Sequence, residues 1–137
     1  MTGRRGISAS TYWKGDSTAY RIAFATSDGE HIDRHFGAAE GFLILEVQQD
    51  GSYQELEKRA GRPPCRHGFH DEGVMQEAVK NLRDCLYVAA EAIGPGAQKA
   101  LEREGVLPLE VQDIDIDEAV KQIHKYQVNK ERASVKH

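Results

Sequence analysis

The sequence predicts an α/β domain that contains a five-stranded mixed sheet with helices on both faces. Three observations predict this class: short apolar segments of strand length, amphipathic segments that alternate with strands in the second half, and turn residues between them. The predicted order is β-β-β-α-β-α-β-α. Because crossovers between parallel strands are right-handed, the connecting helices are expected to cover the sheet on both sides.

The first three segments predict an antiparallel meander. Apolar residues alternate with smaller ones in residues 20–26, whereas residues 42–47 are largely apolar on both faces, as in an interior strand. Asp50 and Gly51 form a dipeptide that is typical of two-residue hairpin turns. Residues 52–58 are therefore expected to return antiparallel to the second strand.

The second half predicts helices that alternate with buried strands. Asp71 is expected to cap the first helix, and Pro95 suits the first turn of the second. Asp115, followed three residues later by Glu118, predicts a capping box for a third helix that ends near residue 126. The strands between these helices are residues 86–90 and 106–111.

The chain is predicted to form one domain with polar ends. With 137 residues, of which 39% are apolar, it can bury a single conventional core. Residues 1–19 are rich in Gly, Ser, Thr and Arg and are expected to be a flexible segment. Residues 20–127 are expected to form the domain, and residues 128–137 a flexible tail.

Composition and charge restrict the cellular setting and the partners. A formal net charge of −4 argues against binding to nucleic acid or to an anionic membrane through net charge. Two cysteines, Cys65 and Cys85, are too few for a disulfide scaffold, so we expect a cytoplasmic protein. No stretch approaches the roughly 18 apolar residues of a membrane span. Arg4 and Arg5 are not followed by the apolar segment that a twin-arginine export signal requires.

Histidines are concentrated in two loops. His31 and His35 lie between the first two strands, and His67 and His70 follow Cys65 in the loop after the third strand. Imidazole and thiolate are ligands that zinc, copper and iron-sulfur species prefer. The second loop lacks the two-pair spacing of a structural zinc site, so the pattern allows either metal ligation or a solvated polar loop.

A basic patch shares the second loop. Lys58, Arg59, Arg62 and Arg66 can attract an anionic ligand, although a run of charges is more often only solvated. Arg62 and Arg66 are counted as candidate binding residues because Cys65 and two histidines lie among them.

The turn that contains His35 is the most specific feature. Phe36 is expected to insert into the core and Gly37 to free the backbone, so that the imidazole is held outward on a fixed support. The residues by themselves favour the other interpretation, a histidine that merely caps the turn. If the first and fourth strands are parallel, this turn, the loop of Cys65 and the turn at Gly94 are expected to meet at one sheet edge.

Other residues allow different functions. Asp28, Glu30 and Asp33 could hold Mg²⁺ in a hydrolase or nuclease, but no acidic pair among them is fixed on a rigid element. Cys85 opens an apolar strand and is expected to be buried. A protein-interaction module, in which the loop histidines are incidental, is a third possibility.

Several segments together resemble the nitrogenase cofactor-carrier family, which includes NifX, NafY and the C-terminal domain of NifB. The likeness runs through approximately residues 20 to 125 and is most specific at the His-Phe-Gly turn. The segments that carry it are residues 21–29, 32–42, 84–85, 93–94 and 101–106. The cysteine motif of radical-SAM enzymes is absent, so the chain resembles the carrier part of NifB without its synthetic half.

The resemblance implies a three-layer ribonuclease-H-like domain that binds and delivers the iron-molybdenum cofactor or its iron-sulfur precursor without catalysing a reaction. Implied partners are cofactor-biosynthesis proteins or apo-nitrogenase, as donor or recipient. In NafY-like members the histidine of the turn is implicated in cofactor binding, and it matches His35 here. The loop of Cys65, His67 and His70 resembles a variable loop of the family. The predicted site therefore consists of His35, Phe36, Gly37, Arg62, Cys65, Arg66, His67 and His70.

Overall fold

The computed structural model describes residues 19–60, 65–66, 69–70, 72–112 and 114–135, and for residues 65, 66, 69, 70, 72, 74 and 131–135 it describes the backbone alone. These residues form strands, α-helices and one short 3₁₀ turn at Phe36–Ala38. The strands are β1 (Ala19–Ala25), β2 (Gly41–Gln48), β3 (Tyr53–Ala60), β4 (Cys65–Arg66), β5 (Phe69–His70), β6 (Tyr87–Ala90) and β7 (Leu107–Glu110). The helices are α1 (Glu72–Lys80), α2 (Pro95–Arg103) and α3 (Ile116–Val135).

Five strands form the predicted mixed sheet, in the order β3-β2-β1-β6-β7. β1 pairs antiparallel with β2, and β2 with β3, which confirms the meander. β6 lies parallel to both β1 and β7, and α2 forms the crossover from β6 to β7. The hairpin between β2 and β3 contains Gly51 at φ 92°, as the Asp-Gly dipeptide predicted.

Alternate residues of the strands contribute to two buried clusters. Ala23 and Ala25 of β1 pack with residues of α1 and α2. Ile22 and Phe24 pack with residues of α3, including Ile116. This separation follows from the two-residue repeat of a strand, which directs successive side chains to opposite faces.

α3 begins as predicted and ends later. The Glu118 amide donates a 2.8 Å hydrogen bond to Asp115 Oδ1, which confirms Asp115 as the cap. The helix continues to Val135, beyond the expected end near Tyr126. Polar residues with high helix propensity can continue an exposed helix without an apolar stripe, so polarity was a poor guide to this end. The predicted flexibility of the two ends stays a prediction, and residues 1–18 and 136–137 lie outside the described residues.

A separate two-stranded pairing occupies the region that the sequence predicts as an exposed loop. Cys65 pairs with His70, and Arg66 with Phe69, in the β4-β5 hairpin. Strands of two residues are too short to produce a visible alternation of apolar and polar residues, so no pattern could predict them. The predicted cap Asp71 lies outside the described residues. Among the described helices, none combines the length and the apolar character needed to cross a membrane.

Candidate functional site

The His-Phe-Gly turn is fixed to the end of β6 by backbone pairing. The Phe36 amide donates to the Ala92 carbonyl at 2.8 Å, and the Glu91 amide donates to the Arg34 carbonyl at 2.9 Å. His35 and Ala92 form a parallel bridge at the same place. The turn is therefore held at the carboxyl edge of β1 and β6, where the sequence predicted it.

The two central side chains of the turn have opposite environments. The Phe36 side chain is fully buried, and its ring centroid lies 5.5 Å from that of Phe42. The His35 side chain is 64% exposed. His35 supplies no side-chain hydrogen bond that caps the turn, so the capping role is not seen. The imidazole is consequently available on a support that the buried ring fixes.

Glu91 is the acidic partner of His35. Its Oε1 lies 3.4 Å from His35 Nε2, and both side chains are accessible to solvent. Glu91 is not among the residues that the sequence predicted for the site. Its position directly after a strand parallel to β1 was the available signal, since the carboxyl ends of parallel strands meet at one edge of a sheet.

The second predicted loop approaches the same turn. Cα atoms of β4, which contains Cys65 and Arg66, come within 8 Å of Cα atoms of the 3₁₀ turn. Arg62 and His67 lie outside the described residues, as do the side chains of Cys65, Arg66 and His70. The ligand and charge roles of these residues therefore stay predictions.

The carboxylates of the first loop serve the backbone of that loop. Asp28 Oδ1 accepts hydrogen bonds from the amides of Glu30 and His31, and Asp33 accepts from the amide and hydroxyl of Ser27. The pKa of Asp28 lies below the ordinary value chiefly because of its side-chain hydrogen bond to His31, to which the two amides add. The hydroxyl of Ser27 is the main cause of the lowered pKa of Asp33. Within the described ranges, no three His, Cys, Asp or Glu side chains converge as a metal site. The hydrolase or nuclease alternative is therefore not supported.

The pKa of His31 is raised, chiefly by its side-chain hydrogen bond to Asp28 and by the negative charge of that carboxylate. The two atoms concerned, His31 Nδ1 and Asp28 Oδ2, lie 2.9 Å apart. The two histidines of this loop thus differ: the imidazole of His31 belongs to the hydrogen bonds of its own loop, whereas that of His35 faces an acid from another element.

Arg59 of the basic patch is engaged in a half-buried ion-pair cluster. Its Nη1 and Nη2 donate to the two carboxylate oxygens of Asp84 at 2.7 and 2.8 Å. Arg21 Nη1 donates to Asp84 Oδ2 at 2.7 Å. The two guanidinium groups, Arg59 first, lower the pKa of Asp84 to about 2. Arg59 therefore ties β3 to the turn before β6, which the sequence did not reveal.

Cys85 lies beside this cluster and is fully buried, as predicted. Burial raises the pKa of its thiol to about 12. Cys85 therefore packs as a small buried residue of the core.

The chain matches one known protein family over most of its length. The family described as dinitrogenase iron-molybdenum cofactor matches residues 18–126. Protein NifX of Azotobacter vinelandii is 30% identical over 105 residues, which are 72% of this chain and 60% of NifX. The FeMo cofactor biosynthesis protein NifB of Frankia alni is 30% identical over 107 residues, but these are 74% of this chain and only 20% of that protein. The chain thus spans a fifth of this NifB and three fifths of this NifX.

A solved structure shows the same fold. The apo form of the orange protein from Desulfovibrio gigas superposes with a TM-score of 0.57 at 19% identity, covering 79% of this chain and 89% of the orange protein. The family match over residues 18–126 includes the whole five-stranded sheet and the His-Phe-Gly turn. The chain belongs to the dinitrogenase iron-molybdenum cofactor family.

Proposed function

We propose that the chain binds an iron-molybdenum cofactor or an iron-sulfur precursor cluster and delivers it during nitrogenase cofactor biosynthesis, without catalysing a reaction. The observation that carries this proposal is the exposed His35 imidazole on a turn that Phe36 anchors in the core. Imidazole is a suitable ligand for iron. The family and the relatives named above supply the class of cargo.

An exposed site suits a cargo that has to leave again. Structural metal sites enclose the metal with four protein ligands, whereas His35 offers one accessible imidazole with Glu91 3.4 Å away. A carboxylate next to the second ring nitrogen commonly fixes the orientation of a metal-binding histidine. We assign this positioning role to Glu91, with Phe36 and Gly37 as the support of the turn.

The second loop completes the proposed site. The backbone of β4 lies close to the turn, which brings Cys65 and Arg66 to its vicinity. We propose Cys65, His67 and His70 as further ligands of the cargo. Positive charge from Arg62 and Arg66 would offset the negative charge of a cluster.

The setting follows from the same proposal. Donor and recipient are cofactor-biosynthesis proteins or apo-nitrogenase. A chain with only two cysteines is typical of the cytoplasm, which is the compartment we propose.

We also propose that the fold is the three-layer ribonuclease-H-like one. Support comes from the two buried clusters, of which one includes residues of α1 and α2 and the other residues of α3.

Anaerobic reconstitution tests the function directly. Apo-protein is mixed with isolated iron-molybdenum cofactor, separated by gel filtration and examined by electronic absorption and iron analysis. We expect the wild type to retain the cluster and His35→Ala to bind it at least about tenfold more weakly. His31→Ala is the matched control, because His31 is an exposed histidine of the same loop, 62% exposed against 64%. Equal binding by His35→Ala and wild type would remove His35 from the site.

A further inference from the structure

A second feature of the same sheet edge is a cleft of about 320 Å³. It lies where β1 ends, β2 begins and β3 ends, and Thr26, Phe42 and Lys58 are among its walls. His35 does not line it. The cleft adjoins the His-Phe-Gly turn through the contact between Phe42 and Phe36, so it is a neighbour of the proposed cluster site and distinct from it.

The charge of the cleft is positive, in contrast to the acidic chain. Arg34 and Lys58 line it and are exposed, and within the described ranges neither is engaged in an ion pair or side-chain hydrogen bond. Arg59 also lines it, but Asp84 and Glu57 hold its guanidinium. Glu40 is the one carboxylate among the described lining residues. Among the described residues, two cations without an ion-pair partner therefore face a concave surface with a single acid.

The wall between these cations is held by its own hydrogen bonds. Thr26 Oγ1 accepts from the Gly29 amide at 2.9 Å, and Asp33 receives the Ser27 amide and hydroxyl. The carboxylate of Asp33 is thereby held against Ser27 of the same loop. A wall that is formed in advance loses little conformational freedom when a ligand binds.

A second cleft of about 310 Å³ provides a contrast within the same molecule. It lies between β2, β3 and the start of α3, and four carboxylates line it. No Lys or Arg is among its described lining residues. An anion would be repelled there and attracted to the first cleft, since local potential decides where a small ion collects. The four carboxylates are those of Glu30, Glu55, Asp115 and Asp117.

We propose that the first cleft binds a small anionic molecule through its carboxylate or phosphate oxygens, which Arg34 and Lys58 contact. Phe42, which is only partly buried, supplies an apolar surface for the remainder of the ligand. The volume is at the lower end of small-molecule sites, which fits a metabolite of a few carbon atoms or a mononucleotide. This binding does not require the cluster, so it is separable from the proposed function.

Calorimetric titration of cluster-free protein tests the proposal, with citrate, inorganic phosphate and AMP as probes at low ionic strength. Binding of citrate alone assigns a polycarboxylate, whereas binding of phosphate or AMP assigns a phosphate group. In either case Arg34→Gln/Lys58→Gln is expected to weaken binding by about tenfold or more. The control Lys99→Gln/Arg103→Gln removes the same charge from exposed positions of α2 and is expected to stay within about twofold of wild type.

Two results would overturn the proposal. One is the absence of saturable binding by all three probes to the wild type. The other is an equal loss in the control variant, which would indicate attraction to general surface charge. Amide chemical shifts locate the ligand independently: we expect the largest changes at Ser27 and Gly41, and changes confined to other regions would also contradict the site. All four substituted side chains are exposed, so these variants are expected to fold normally.

Discussion

At the scale of single residues, the contrast between His31 and His35 separates a structural histidine from a candidate ligand. His31 Nδ1 lies 2.9 Å from Asp28 Oδ2 of its own loop. The nearest acid of His35 instead comes from the end of β6, at 3.4 Å. From the sequence, both histidines were predicted to lie in the same loop and to be possible metal ligands. Their different partners result from chain pairing between the turn and residues 91–92.

Glu91→Gln tests the positioning role of this acid. We expect cluster binding to weaken by about tenfold, the lower end of the usual effect of such partners, because the Glu91 side chain is 39% exposed. Anaerobic titration with the cofactor gives the affinity. The spectrum of the bound cluster, which depends on ligand orientation, gives a readout that a loss of stability would not change. Glu102→Gln, an exposed site on α2, is the control. Unchanged affinity and spectrum in Glu91→Gln would contradict the role.

Asp84→Asn tests the ion-pair cluster through its pH dependence. The folded pKa of about 2 lies below the ordinary 3.8, so the ionised carboxylate stabilises the folded state above about pH 4. That contribution is lost as the pH falls from about 4 towards 2. We expect Asp84→Asn to lower the free energy of unfolding by about 1–3 kcal/mol near neutrality, because two guanidinium groups lose their acceptor.

The measurement is urea unfolding of wild type and Asp84→Asn across this pH range. The difference in unfolding free energy between the two proteins is expected to shrink below about pH 4. Glu102→Gln is again the control for loss of an exposed carboxylate. A difference that stays constant with pH would show that Asp84 acts through its shape and not through its charge.

At the scale of elements, the His-Phe-Gly turn depends on burial more than on its own hydrogen bonds. It contains only three residues of 3₁₀ helix, with two backbone bonds from Ala38 and Ala39 inside it. Phe36 contributes a full aromatic side chain to the cluster that includes Ile44 and Ile93. The sequence predicted this insertion correctly, because Phe is among the residue types that are most often fully buried.

Phe36→Ala is expected to lower the free energy of unfolding by about 3–5 kcal/mol, since it deletes a fully buried ring. Phe36→Leu, which keeps most of the apolar volume, is expected to lose less than half of that. Urea denaturation followed by circular dichroism measures both. An alanine variant as stable as wild type would show that the ring does not anchor the turn.

Element boundaries show where sequence patterns are sufficient. Asp115 as the cap of α3 and Pro95 in the first turn of α2 were predictable, because each acts through the backbone of its own helix. The far end of α3 was not predictable. Gln127 contacts Tyr87 of β6, and this tertiary contact supports the helix where the local apolar pattern ends.

At the scale of the whole molecule, the central strands β1 and β6 belong to both buried clusters. Val88 and Ala90 of β6 face one cluster, while Tyr87 and Ala89 face the other. Loss of either strand would open both clusters together. The domain is therefore expected to unfold as one cooperative unit.

Cys85 reports on that cooperativity. In a Cys65→Ser variant it is the only thiol of the chain, and it is fully buried. We expect its reaction with a thiol reagent to be slow in the native protein and to accelerate with urea in parallel with global unfolding. The same reagent on fully unfolded protein gives the reference rate. Rapid labelling without urea would reveal a local opening next to Asp84 and would contradict a single unit.

The sequence by itself determined the α/β class, the meander, the starts of α2 and α3 and the insertion of Phe36 at the turn. These features arise from local rules, namely side-chain periodicity, capping and turn chemistry, which act over a few residues. Tertiary structure alone decided that Glu91 faces His35, that Arg59 serves Asp84 and that Arg34 and Lys58 share a cleft. The two members of each pair are 24 to 56 residues apart, and only the order and direction of the strands bring them together.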